Sequence, residues 1–251
     1  MPIADALPQF LALFASLAIL ALLSRQIGLQ TQLAPYYLTG SEDMATIIVF
    51  LLFVPGVIVH EGAHWLSARL LGLRTGKFRV WPTRQGKHIG LGSVTVERSD
   101  MWRDSLVGTA PLLFGTALIA LIGAWHFGAP TVAAALVAGR LVDSVSVFFK
   151  ALGRTDGIVW AYVIFTIGNS MMPSASDREP VKPVLLYGAF AALVYLVVGL
   201  PIEPITLLLG WMMPAFQIVT SALIFTILLD LIILGILLLI TLPFRLQQRH
   251  G

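Results

Sequence analysis

Three residues able to hold or use a metal ion fall within five positions of a long apolar run: His60, Glu61 and His64, in the stretch His60-Glu61-Gly62-Ala63-His64. On a helix, positions i and i+4 share one face a turn apart, so both imidazoles can converge on a single ion. Glu61 then lies beside that ion without having to bind it. In this pattern two His hold Zn²⁺ and the Glu takes a proton from the water that the ion activates. The chain has only five His, and three specified residues at this spacing recur by chance in roughly two per thousand chains of this length. Imidazole and carboxylate groups within an apolar span are costly and usually functional.

The elements that position these groups must be membrane helices. Hydrophobic residues make up 57% of the 251 and charged residues 12%, with a mean hydropathy of +0.88. Soluble domains carry about a quarter charged residues, so an ordinary soluble globule is excluded. The net charge is +3, but the basic residues cluster where the positive-inside rule puts them, so nucleic acid is not an expected partner. There is no cysteine; disulfides and thiolate metal sites are excluded, and a zinc site must use His and carboxylate.

Apolar spans are predicted at Leu7 to Ser24, Met44 to Leu71, Ser105 to Trp125, Ile158 to Met171, Leu185 to Leu200 and Gln217 to Leu242. The expected fold is therefore an all-α polytopic membrane protein with about six transmembrane helices, a small cytoplasmic β-hairpin and one interfacial amphipathic helix. It is read as a single membrane-embedded domain over 1–251, with 44–177 as core and 1–43 and 178–251 as accessory helices. No room is left for a separate soluble peptide-binding module. The first span has no basic residue before it and no small-x-small cleavage pattern after it, so it is expected to stay as an anchor.

Ser41-Glu42-Asp43 reads as an N-cap with first-turn acids, opening the helix that carries the His pair. Pro55-Gly56, a turn before His60, is expected to kink that helix and free backbone carbonyls. From Ala45 to Val59 the rise is about 22 Å, which sets His60 past the middle of the hydrocarbon layer. Eight Lys and Arg lie between Arg69 and Arg103, which predicts a cytoplasmic connection. Within it, Phe78 to Trp81 and Ile89 to Val96 alternate as strands about a turn at Arg84 to Lys87. This hairpin is either a simple clip or an edge that pairs with an extended substrate. Arg140, Asp143 and Lys150 interrupt Thr131 to Leu152, which reads as an interfacial helix. With both termini inside, twelve of the sixteen Lys and Arg are cytoplasmic. The expected location is a multi-pass position in the cell membrane, of the prokaryotic inner-membrane kind.

Two His leave a catalytic zinc one protein ligand short. Candidates are Asp143, Asp177, Glu179, Asp230, His88 and His126. Asp177 follows the fourth span on the face where the His helix ends, in a Pro- and Ser-rich break; on position alone it is equally a helix cap or a partner of Arg178. At this point the chain resembles the site-2 protease family of intramembrane zinc metalloproteases. That family carries His-Glu-x-x-His in one membrane helix and, two core helices later, Asn-x-x-Pro followed by an Asp-Gly whose Asp binds zinc. Here the corresponding stretch runs from Asn169 through Pro173 to Asp177 and Arg178. Its Pro stands four residues after the Asn instead of three, and Arg178 stands where the family has Gly. The resemblance implies one Zn²⁺ per chain held by His60, His64 and Asp177, Glu61 as catalytic base, and Asn169 in contact with the substrate or oxyanion. It also matches the second to fourth spans to the family's three-helix core, and Gly108-Thr109-Ala110-Pro111 to its Gly-Pro signature.

The expected function is hydrolysis of peptide bonds in or near transmembrane segments of membrane proteins, in the lipid bilayer. The alternative is a metal-binding membrane scaffold or transporter without proteolytic activity. Di-iron desaturases and hydroxylases need more imidazoles than five His supply. Asp230, mid-span among Leu and Ile, is either a group handling protons or substrate or a hydrogen-bonded packing acid. His88, His126 and His250 read as solvated, interfacial and terminal.

Overall fold

The computed structural model describes residues 3–81, 83–85, 88–90 and 92–250. Helices α1 (Ile3–Thr39) and α2 (Glu42–Leu70) are followed by short strands β1 (Thr75–Arg79), β2 (Thr83–Gln85), β3 (His88–Gly90) and β4 (Ser93–Val96). Then come α3 (Met101–Trp125), α4 (Ala129–Val137), α5 (Leu141–Leu152), α6 (Gly157–Ser170), α7 (Ala175–Arg178), α8 (Val181–Val198) and α9 (Glu203–His250). Five helices among the described residues are long and apolar enough to cross a membrane: α1, α2, α3, the α7–α8 segment and α9.

The expected six spans are thus five plus a short one. The 14 residues of α6 rise about 21 Å, less than the ~30 Å hydrocarbon layer. The helix stops inside the bundle, where its last carbonyls become available to other groups. The first helix does not end at Arg25 as its charge implied. Its Gln-rich second half stays helical because its polar groups find partners on α9: Gln30 accepts from the Thr241 hydroxyl at 3.1 Å, while Arg25 points outward. The single interfacial helix expected over 131–152 is two helices, α4 and α5, separated at Gly139, whose φ is 72°. The nine residues of α4 are too short to cross. In α5, Ser144, Phe148 and Ala151 are buried on one stripe and Asp143 is exposed, as an amphipathic helix requires.

β1 and β4 pair antiparallel, with Phe78 opposite Val94, and β2 and β3 pair antiparallel as an extension of the same hairpin. Arg84 and Gln85, expected in the turn, are strand residues, and Gly86-Lys87 lies outside the described residues.

Helix α6 runs parallel to α2. The Tyr162 hydroxyl donates to the Leu52 carbonyl at 2.8 Å, and His60 meets the Ser170 carbonyl at the same sequence offset. Gly56 makes this approach possible: a Cβ there would overlap the Thr166 carbonyl and the Ser170 hydroxyl. Phe53 and Phe165 continue the contact into the apolar core, which includes Val49, Val57, Ile119, Ile164 and Phe225. α1 and α9 also run parallel, joined by Gln9–Thr220 at 3.0 Å and Gln30–Thr241 at 3.1 Å, again at one offset. α8 buries no residue, as suits an apolar helix bounded by hydrocarbon.

The Gly56 contact yields a prediction about stability. Gly56→Ala should lower the unfolding midpoint in detergent, by an amount corresponding to roughly 1–3 kcal/mol of overpacking. Gly62→Ala, where nothing lies within 4 Å of an added Cβ, should leave the midpoint unchanged or raise it.

Candidate functional site

Ser41 accepts from the Met44 N–H and starts α2, which then carries His60 and His64 on one face. The Nε2 atoms of the two rings lie 3.3 Å apart. Asp177 reaches them from α7, with Oδ1 3.4 Å from His64 Nε2 and Oδ2 3.8 Å from His60 Nε2. These three residues are the group of possible metal ligands among the described residues. The other candidates lie elsewhere. Asp143 pairs with Arg140 on exposed α5, and Glu179 is exposed. His126 sits at the end of α3, buried beside Asp156 and Trp160. The side chains of His88 and His250 lie outside the described residues.

The orientation of each ring follows from backbone chemistry. A carbonyl only accepts, so the Nδ1 atoms of His60 and His64, at 2.7 Å from Ser170 O and 2.9 Å from Val107 O, must carry the protons. Both Nε2 atoms therefore present lone pairs to the common centre. The acceptors are carbonyls that their own helices leave open. Ser170 ends α6, so its carbonyl lacks an intrahelical partner. Val107 lies four residues before Pro111, which has no N–H to give it. Sequence reasoning missed both acceptors, although the Pro111 spacing signalled one of them.

Asp177 is held by a compact turn. Ser174 N–H donates to Asp177 Oδ2 at 2.8 Å, and Asp177 N–H meets the Ser174 hydroxyl at 3.3 Å, a reciprocal capping box. The carboxylate thus caps α7 and faces the rings together. Arg178 turns back to the Ser174 carbonyl and does not pair with Asp177. Hence the turn forms without the glycine that Arg178 replaces. Gly108 on α3 admits it, since a Cβ there would strike the Asp177 carbonyl.

These positions fit a divalent cation. Ligand bonds of about 2.0–2.2 Å in a tetrahedron imply ligand atoms about 3.3–3.6 Å apart; the two ring nitrogens lie 3.3 Å apart, and Asp177 approaches His64 through Oδ1 at 3.4 Å and His60 through Oδ2 at 3.8 Å, with one ligand atom from each residue within 4.8 Å of the others. Two neutral imidazoles with the Asp177 and Glu61 carboxylates carry two negative charges when both acids are ionised, which a dication balances. The His60, His64 and Asp177 side chains keep 12–16% of their surface exposed.

Glu61 lies against the hairpin. An added Cβ on Gly92 would sit 2.9 Å from its Cγ, and the backbone N–H of Val94 meets its carboxylate. A cavity of about 300 Å³ opens on His60, Glu61, Gly92 and Asn169, with Ser24 and Gln32 of α1 on its far wall. Asn169 lines it but is not a ligand: its Nδ2 donates to Phe165 O at 2.9 Å and faces both Asp230 oxygens at 3.1 and 3.2 Å. No known protein family, curated protein or solved structure matches the chain.

Restoring an N–H at Pro111 should tie up the Val107 carbonyl. Pro111→Ala is expected to weaken metal binding about tenfold, the usual effect of losing an outer-shell partner, as read by competition with a zinc chelator. Pro55→Ala, on the same helix as His60 and His64 but more than a turn before the first and more than two before the second, should leave affinity within about twofold.

Proposed function

We propose that this chain is an intramembrane zinc metalloprotease of the site-2 protease type, hydrolysing peptide bonds in or near transmembrane segments of other proteins. The observation that carries the reading is the convergence of His60, His64 and Asp177 beside Glu61 at the edge of a cavity within apolar helices. Two His and one carboxylate, leaving a fourth position open, is a donor set of catalytic zinc, whereas structural sites close all four. Absence of cysteine fits the same class. A bound zinc would polarise the scissile carbonyl and bring the pKa of a water toward about 7.

The chain's own residues supply the rest. His60 and His64 hold fixed tautomers through Ser170 and Val107. Glu61 accepts the proton that the attacking water loses as its oxygen bonds to the carbonyl carbon. As the C–N bond breaks, Glu61 returns that proton to the leaving amine. β4 pairs with β1, and Gly92 just before it packs against Glu61. A substrate strand added along the other edge of β4 would run past the base in the extended form that cleavage requires. Polar residues of α1 on the cavity wall give water a path into the apolar bundle. The basic connection between α2 and α3 supports a cytoplasmic position for this face by the positive-inside rule.

Substitution separates this enzyme from a metal-binding scaffold or transporter. Glu61→Gln should retain one zinc per chain while cleavage of a membrane-spanning reporter falls by at least about 10²-fold, the scale of general base catalysis. His60→Ala should lose both zinc and cleavage. Undiminished turnover by Glu61→Gln removes the mechanism.

A further inference from the structure

Asp230 lies in α9, fully buried, in a helix that none of the motif residues occupy. Its carboxylate faces one side chain, the amide of Asn169, whose Nδ2 lies 3.1 and 3.2 Å from the two oxygens. The same Nδ2 donates to the Phe165 carbonyl at 2.9 Å. Both amide N–H groups of Asn169 are therefore directed at fixed acceptors. Its Oδ1 is left buried with no hydrogen-bond partner, although the residue lines the cavity next to His60 and Glu61. A carboxylate can only accept from the amide, so Asp230 decides which end of Asn169 faces α9 and which is left over. The neighbouring Ser24 hydroxyl does not fill the vacancy at Oδ1, because it donates to the Asn169 backbone carbonyl at 2.9 Å.

We propose that Asp230 is a positioning residue that turns Asn169 so that its Oδ1 accepts a hydrogen bond from a backbone N–H of the substrate peptide. The proposal rests on the proteolytic reading above and refines it. In this geometry Asn169 is an acceptor for the substrate chain and does not donate to an oxyanion, because its donors are already engaged. A buried acceptor left unpaired in the free protein and paired in the complex favours a peptide over a ligand without an N–H. Asp230→Asn reverses the logic: the new amide can donate to Asn169 Oδ1 and occupy the acceptor that substrate needs.

The test uses the full-length zinc-loaded protein in detergent and a matched pair of ligands. One is a peptidyl hydroxamate that anchors on the metal, made as a series with each backbone amide in turn. The other replaces that amide N–H by an ester oxygen. The native protein should bind the amide form about tenfold more tightly than the ester at one position of the series. In Asp230→Asn and in Asn169→Ala the ratio at that position should fall below twofold, with zinc content unchanged. Asn169→Ala leaves the Asp230 carboxylate in place, so it reads the acceptor even if Asp230→Asn fails to fold. Equal affinities for amide and ester at every position of the native protein overturn the acceptor role while leaving the metal centre intact. A tenfold ratio that persists in Asp230→Asn overturns the positioning role. Purified protein that holds no zinc overturns the parent reading instead.

Discussion

Two imidazole nitrogens and the two oxygens of one carboxylate face one another at 3.3 to 3.8 Å within an apolar bundle. Left alone, these groups repel or must be protonated; a dication converts the same crowding into attraction, and low dielectric strengthens it. The rest of the fold can be understood as what holds the three residues at that spacing. Gly56 lets α6 lie against α2, so that the end of α6 reaches His60. Gly108 lets the α7 turn lie against α3, so that Asp177 reaches both rings. Pro111 leaves a carbonyl for His64. Each of these residues is small or lacks a donor, and each acts by allowing backbone to come where a side chain or N–H would otherwise stand.

Much of this was legible in the sequence, and the rest was hidden for definite reasons. The His pair could be read directly because i and i+4 share a helix face whatever the tertiary structure. Asp177 was reachable only through the resemblance, since position alone left it equally a helix cap. In the structure it is both cap and neighbour of the rings, because one carboxylate has lone pairs enough for two roles. Arg178 looked disruptive in place of glycine, yet the Ser174–Asp177 capping box closes the turn without left-handed backbone. Helix ends were misjudged where polar residues found partners that no window of sequence reveals, as with Gln30 and Thr241. The parallel pairing of α1 with α9 was equally invisible, since hydropathy marks spans but not which spans adjoin or in which direction.

On the proposed reading, hydrolysis within lipid would need water where the helices exclude it. Ser24, Gly28, Thr31 and Gln32 of α1 recur at helical spacing along the cavity. Opposite them, Gly92 and Val94 bring main chain from the hairpin to Glu61. The cavity is thus lined by polar residues of α1, by Val49, Phe53 and Val57 of α2, by Gly92 of the hairpin, and by His60 and Glu61.

X-ray absorption at the zinc edge, on protein purified without added metal, tests the central claim most directly. The account predicts one zinc per chain, with two imidazole nitrogens and one carboxylate oxygen at about 2.0–2.2 Å, a further light-atom ligand and no sulfur. A sample that hydrolyses membrane-spanning peptides while lacking zinc, or a zinc spectrum unaltered in Asp177→Ala, would contradict it.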